Sequence, residues 1–437
     1  MSITASLIPD VPSNLSEPST SHLEQPTPSK QVVDDTNAYL TSSNPYEYLA
    51  SIEFHQTFFC ARTQTRVSYV DAGDKNGPLL FYILPSGCSR WVAVFLEGYA
   101  RSKGVRLVAA DRPGQGCTAR VPLASRIDTS TAQTLSLMEH LRLGGQKVSF
   151  LTHSAGIFFL LPVLQHLLQS PAPTLPVISG GMFLSSPWIP ASVSGHKFFP
   201  FIPASLATAG HHVIPRVIGS VNWLSSMTDG VGDSLKSVLA ISGVSIGAPP
   251  SGTPESKRKL DKAAKKEREA SLRAHPTADI HPPFAPQSAV FLTSPRMRAW
   301  IAEHMGAKVS GELGPELVFT YMSAEGFWGM SQEHALCLGG GVPDGEKGLV
   351  RALQAGWEGV GTAWQGQGST DLMVANYWAS GDGMIPLKGR DWFDALMTQT
   401  PGIAYERHEL GAGAAHDTPI STEEVIGGIF SWVSRHG

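Results

Sequence analysis

The 437 residues carry 33 Lys and Arg against 37 Asp and Glu, for a net charge of -4, and 42% of them are hydrophobic. That length and apolar content suffice for a large buried core, which excludes a mainly disordered chain. The lack of a basic excess excludes a dedicated nucleic-acid binder and leaves small molecules as the expected partners. Cys60, Cys88, Cys117 and Cys337 are scattered without a C-x-x-C pair, so no disulfide framework, metal centre or other cofactor is expected.

The chain opens MSITASLIPDVPSN, without the basic and apolar regions of a secretory signal. Its most apolar run, 156–168, is interrupted by Pro162, Gln165 and His166 and falls short of the roughly 20 residues that span a bilayer. A cytoplasmic protein without a transmembrane segment is the expectation, with peripheral membrane contact left open.

Residues 1–45 are rich in Ser, Thr and Pro and poor in large apolar residues, so a disordered tail is expected there. From Ile52 come short strand-like runs, IEFHQTFFCA, TRVSYVDAG and PLLFYILPSG, each closed by Gly, Pro or Asp turn chemistry. A helix over 90–102, a strand VRLVAAD, a Gly-rich turn RPGQG and a second helix over 129–143 follow. Strand KVSFLT then leads through a turn at Ser154 into a helix over 157–168, and strand VISGGMFLSS comes next. Alternating β and α segments with near-continuous apolar strands predict an α/β fold with a doubly wound, mostly parallel sheet. The alternation resumes with DLMVANYWAS, a helix over 389–398, strand IAYERHEL and a terminal helix over 421–434. Residues 46–186 and 371–437 are thus expected to be two parts of one core.

Residues 187–370 are expected to form a largely helical lid inserted after the sixth strand. The segment opens PWIPASVSGHKFFPFIP and carries the amphipathic stretches PRMRAWIAEHM and GLVRALQAGWEGV. Within it, residues 254–275 are charged almost all round and offer no apolar stripe, which predicts an exposed helix or loop. Solvation is the ordinary use of such a run. A nuclear-localisation or anionic-membrane role for its basic part, 257–273, is the alternative.

The chemistry centres on Thr152-His153-Ser154-Ala155-Gly156. A serine hydroxyl becomes nucleophilic when a base takes its proton and a sharp strand-to-helix turn exposes its oxygen. Such a turn demands small neighbours, and the pentapeptide follows G-x-S-x-G except that Thr152 replaces the first glycine. A serine here could also merely cap the next helix; the apolar strand before it and the apolar helix after it favour the nucleophile. His416, in ELGAGAAHDTPI beyond the last strand, is the expected base, while His408 and His436 read as surface or packing residues and His153 as packing. Asp382, in NYWASGDGMIP, is the expected acid that fixes the histidine tautomer, although a turn aspartate is the plainer use of that pattern. Asp391 and Asp394 belong to the following helix and compete poorly. Two backbone N–H groups should meet the negative oxygen of a tetrahedral intermediate, Ala155 supplying one and Cys88, in the glycine-containing turn 85–89, the other.

These features resemble the α/β-hydrolase superfamily over about residues 53–184 and 371–437. Besides the Ser154 turn, VSYVDAGDKNGPLLFYILPSG resembles the family's second and third strands and the loop where many members carry His-Gly, here Ser86-Gly87. ADRPGQG resembles its turn after the fourth strand, which implies structural roles for Asp111 and Arg112. Serine rather than aspartate at position 154 implies ester or thioester chemistry and points away from the members that attack through a carboxylate. Trp188, Phe198, Phe199, Phe201, Trp223, Phe327 and Trp328 could line a pocket for a hydrophobic acyl group or form the insertion's own core. A serine hydrolase working through an acyl-enzyme is the leading expectation. An acyltransferase on the same scaffold, or a silent binding protein with this fold, are the alternatives.

Overall fold

Single-residue alternation builds the two faces of the sheet. In β3 (Leu79–Ile83), Leu79, Phe81 and Ile83 enter one core with Phe150 and Trp357, whereas Leu80 and Tyr82 enter a second with Leu151 and Phe430. Side chains of period two supply both faces, so a strand between two helix layers is apolar throughout. The computed structural model describes residues 48–195, 318, 321–322, 324–326, 328–368, 370–411 and 414–437.

The other strands are β1 (Gln56–Cys60), β2 (Thr65–Gly73), β4 (Arg106–Ala110), β5 (Lys147–His153), β6 (Val177–Ser185), β7 (Leu372–Ala379) and β8 (Ile403–Leu410). They form one 8-stranded sheet in the order β1-β2-β4-β3-β5-β6-β7-β8. β2 runs antiparallel to β1 and β4, and every other pairing is parallel. Helices α1 (Val94–Ser102) and α7 (Glu423–His436) cover one face, where Tyr99 stacks on Phe430. Helices α2 (Arg126–His140), α3 (Ile157–Gln169), α5 (Glu346–Gln365) and α6 (Leu387–Gln399) cover the other with Leu137, Leu164, Trp357 and Phe393. The doubly wound, mostly parallel sheet expected from the sequence is therefore present. Because β4 and β5 flank β3 on opposite sides, the winding reverses there, and it is at the carboxyl ends of the strands at such a point that open α/β sheets form a binding crevice.

Several boundaries differ from the sequence reading. The run from Ile52 begins as a 3-10 turn over Ile52–Phe54, capped by the Ser51 side chain, and only then becomes β1. Helix α2 starts at Arg126, three positions before the expected 129, because a 3-10 turn after Pro122 feeds directly into it; it stops at His140, ahead of Arg142 at φ 55.

The segment between β6 and β7 contributes α4 (Trp328–Cys337) and α5. Helix α5 was expected within the lid, yet it buries Leu349, Leu353, Trp357 and Val360 in the same core as α3. Gly356 makes this approach possible, since a Cβ there would lie 2.9 Å from the Leu161 side chain. A parallel β6-to-β7 step needs a crossover, and α5 supplies it. The tail 1–45, the charged run 254–275, Phe198, Phe199, Phe201, Trp223 and Phe327 lie outside the described residues. Among the described residues no helix is long and apolar enough to cross a membrane.

Helix α4 is tied to the core by charge as well as by packing. Its Glu333, fully buried, accepts hydrogen bonds from Arg112 at 2.7 Å to each oxygen and from Arg126 at 2.7 Å. Gln115 Nε2 at 3.3 Å and the Gly87 N–H at 3.1 Å donate to it as well. Arg112 also donates to the carbonyls of Leu84 and Pro85, which end β3. Burial opposes ionisation of Glu333, but the two guanidinium charges outweigh it and hold the carboxyl at about 2, against an ordinary 4.5. Two arginines around one acid leave an excess positive charge, and Arg126 Nε and Nη1 have no hydrogen-bond partner among the described residues. Glu333→Gln leaves both cations uncompensated and is expected to lower the unfolding free energy by about 3–5 kcal/mol, measured by denaturant titration. Because the folded value is depressed, the wild-type contribution is complete above pH 4.5 and is lost as the pH falls toward about 2.

Candidate active site

At the end of β5 the backbone makes a turn that few side chains tolerate. Ser154 sits at φ 52, in the left-handed region, and opens a 3-10 turn over Ser154–Gly156 that runs into α3. Such a conformation costs about 1–3 kcal/mol and persists only where its surroundings over-determine it. Those surroundings can be named. A Cβ on Gly156 would lie 2.7 Å from the Leu84 carbonyl oxygen and 2.8 Å from that of Ile83, so only glycine lets the turn lie against the end of β3. Thr152, where a glycine is usual, is buried and donates its hydroxyl to the Ile83 carbonyl at 3.1 Å. The Trp188 N–H donates to the Ser154 carbonyl at 3.0 Å from beyond β6.

Ser154, His416 and Asp382 come together in this crevice, all three buried. His416 Nε2 lies 2.9 Å from Ser154 Oγ, and Nδ1 lies 2.8 Å from Asp382 Oδ2. The other carboxylate oxygen, Oδ1, accepts from the N–H groups of Met384 at 2.8 Å and Ile385 at 2.9 Å. The acid is thus fixed by the turn after β7 and orients Nδ1–H, which leaves Nε2 as the acceptor facing the serine. Burial disfavours a charged His416, but the Asp382 carboxylate and, more weakly, Asp417 outweigh it, so the imidazole is raised above its ordinary value. The competing residues are occupied elsewhere. His408 is exposed and stacks on Tyr377, His436 bonds the Trp432 carbonyl, and Asp394 takes the Trp378 and Arg407 side chains.

The expected oxyanion donors lie in two turns. Ala155 is buried immediately after Ser154. Cys88 occupies the turn after β3, where Gly87 adopts φ 78, and its N–H makes a long 3.4 Å bond back to the Pro85 carbonyl. The neighbouring Gly87 N–H is committed to Glu333, so this loop is braced by α4. Asp111 and Arg112 hold backbone in place, Asp111 accepting from the Arg90 N–H and the Ser68 hydroxyl at 2.6 Å each. Of the aromatic set, Trp188 donates to the Cys337 carbonyl and Trp328 lies against Gly114 and over Arg120 and Arg126; both are engaged in packing.

His153 departs from the sequence reading. Instead of packing away from the crevice, its ring lies 4.9 Å from that of His416, and its Nε2 is 2.8 Å from Asp417 Oδ1. The reason is the turn itself, which sets the residue before the serine against β6, where Nδ1 meets the Ser185 carbonyl at 2.8 Å. His153, His416 and Asp417 form the one trio among the described residues whose donor atoms come within 4.8 Å of each other, as a metal ion would require. Each ring nitrogen of the two histidines is already taken, by Ser185, Asp417, Ser154 or Asp382. Sequence reading missed Asp417 and Glu333. Adjacency to His416 was the available signal for the first; for the second there was only the need of two buried arginines for a counter-charge.

No family model matches the chain, and no curated protein sequence does. Solved structures similar to it include epoxide hydrolase A from Mycobacterium thermoresistibile, at 14% identity and TM-score 0.48 over 87% of this chain and 98% of that one. An enol-lactonase from Burkholderia xenovorans LB400 aligns at 12% identity and TM-score 0.41 over 87% and 99%. An alpha/beta hydrolase fold protein from Nakamurella multipartita aligns at 14% and 0.42 over 87% and 98%. The strand order with its reversal at β3, the strained serine turn after β5, and the acid and histidine beyond β7 and β8 give this chain the α/β-hydrolase fold.

Proposed function

We propose that the protein is a serine hydrolase that cleaves a carboxylic ester or thioester through an acyl-enzyme on Ser154. The observation that carries this reading is the continuous hydrogen-bonded line from Ser154 Oγ through His416 to Asp382, with heavy-atom separations of 2.9 and 2.8 Å. In the first half-reaction Ser154 Oγ bonds to the acyl carbon while its proton passes to His416 Nε2. The negative charge on the carbonyl oxygen is met by the Ala155 N–H and by the Cys88 N–H, which exchanges its long bond to Pro85 for the substrate. Collapse expels the alcohol or thiol, which takes the proton from His416. Water then repeats the sequence: His416 removes its proton, the acyl-enzyme bond breaks, and Ser154 recovers its hydrogen. Asp382 stays ionised and stabilises the imidazolium. A hydrophobic acyl group is the substrate class that the aromatic-rich segment after β6 favours, and no cofactor takes part.

Labelling with a fluorophosphonate tests the assignment directly. Wild-type protein should gain one adduct, mapped to Ser154 by mass spectrometry, and Ser154→Ala should gain none; a folded wild-type protein that stays unlabelled removes the nucleophile. Esters of graded acyl length then identify the acyl group, and free acid released without an added acceptor separates hydrolysis from acyl transfer. Asp382→Asn is expected to cost about ten-thousandfold in kcat with little loss of fold, because the amide favours the wrong imidazole tautomer.

The pH profile has a defined sign. His416 must be neutral to accept the serine proton, and its folded value is raised. Activity should therefore fall on acidification with a midpoint above the ordinary histidine value of about 6.5, read from kcat/KM against pH.

A further inference from the structure

The residues flanking the nucleophile and the base form a second histidine–carboxylate pair. His153 immediately precedes Ser154, Asp417 immediately follows His416, and their side chains meet at 2.8 Å. We infer that the His153–Asp417 pair is a positioning device that staples the His416 loop to the serine turn and keeps a carboxylate charged beside His416. The inference rests on the reading of Ser154 and His416 as nucleophile and base.

Proton counting fixes the state of the pair. His153 Nδ1 lies 2.8 Å from the Ser185 carbonyl oxygen and 3.0 Å from the Ser185 hydroxyl, which can donate as well as accept. His153 Nε2 faces a carboxylate oxygen, and two acceptors cannot share a 2.8 Å separation without a proton between them. Although burial raises the carboxyl of Asp417, its hydrogen bond from His153 and the charges of His153 and His416 hold it below the ordinary aspartate value. The shared proton therefore sits on Nε2 of the ring, and Asp417 is a carboxylate that accepts from it. With a side chain 2% exposed on His153 and 17% on Asp417, little solvent screens the pair.

His416 becomes an imidazolium each time it takes the serine proton. The charged and titratable groups around it are Asp382 on Nδ1, Asp417 from its own loop, and the His153 ring at 4.9 Å from β5. On the side of the turn after β3 stands Cys88, whose thiol burial pushes up and keeps neutral, with the Arg112 and Glu333 pair behind it. Asp417 thus accepts from one ring and lies beside another that becomes a cation in each half-reaction. Without its charge His416 would lose one of the two carboxylates that favour its protonated form.

The test is the rate of Ser154 phosphonylation by a fluorophosphonate across the range in which histidine titrates, with thermal melting to verify folding. Asp417→Asn keeps an oxygen to accept from His153 but removes the charge. It should move the acid limb down by about one pH unit and lower the plateau rate roughly tenfold. His153→Gln keeps an amide donor for Asp417 and so keeps the charge beside His416; its limb should stay near that of wild type while the plateau again falls. The double variant should show the limb of Asp417→Asn with a plateau no lower than the worse single variant. A merely structural staple would lower melting temperature and rate but leave the limb where it was. A folded Asp417→Asn variant whose limb coincides with wild type overturns the inference, as does a folded His153→Gln variant whose limb moves as far as that of Asp417→Asn; if His153→Gln does not fold, the limb of Asp417→Asn alone decides. A wild-type protein not labelled at Ser154 defeats the nucleophile reading instead, so the two failures are distinct.

Discussion

A serine held in the left-handed region is the constraint on which the rest of the site depends. No single neighbour could keep Ser154 at φ 52. The Thr152 hydroxyl ties the strand to β3, Gly156 lets the following turn lie against β3 carbonyls, and the Trp188 N–H fixes the serine carbonyl from the far side of β6. Strain of this kind is stable only inside a close-packed interior. The parallel strands, buried on both faces, provide it. The hydroxyl consequently points into the crevice where the winding of the sheet reverses, and groups from β7, β8 and the insertion can converge there.

That convergence has an electrostatic order. Acids near the site each meet a basic partner: Asp382 meets His416, Asp417 meets His153, and Glu333 meets both Arg112 and Arg126. Each pair spans two elements far apart in sequence, so electrostatics and topology reinforce one another. The desolvation cost of a buried charge makes such pairing a requirement, since an unpaired member would cost several kcal/mol.

Much of this was legible in the amino-acid sequence, for reasons that concern local pattern. Apolar runs such as LLFYI announce strands buried on both sides, and the Ser154 turn, Asp382 and His416 follow strand ends that turn chemistry marks. Residues that act through distant partners left no such trace. Glu333 is one acid in a short helix, and nothing nearby reveals that Arg112 and Arg126 lie against it. His153 looked like packing because alternation along β5 says which face a side chain takes only until the strand ends. The helix over 346–365 was assigned to the insertion because amphipathic periodicity shows that a helix has a buried face but not which layer covers it.

The Glu333 contact also bears on how the chain reaches its native state. Gly87 and Glu333 are 246 positions apart, so the turn after β3 is completed by a contact that spans more than half of the chain. Closing so long a loop carries an entropic penalty that local helices and hairpins do not meet, and contacts of that span are slow to form. The sheet can assemble from its βα units before α4 arrives, with two arginines awaiting their counter-charge. A nascent or partly unfolded chain would therefore carry much of the scaffold before it carried a braced turn after β3, and recovery of secondary structure on refolding would run ahead of the closing of that turn.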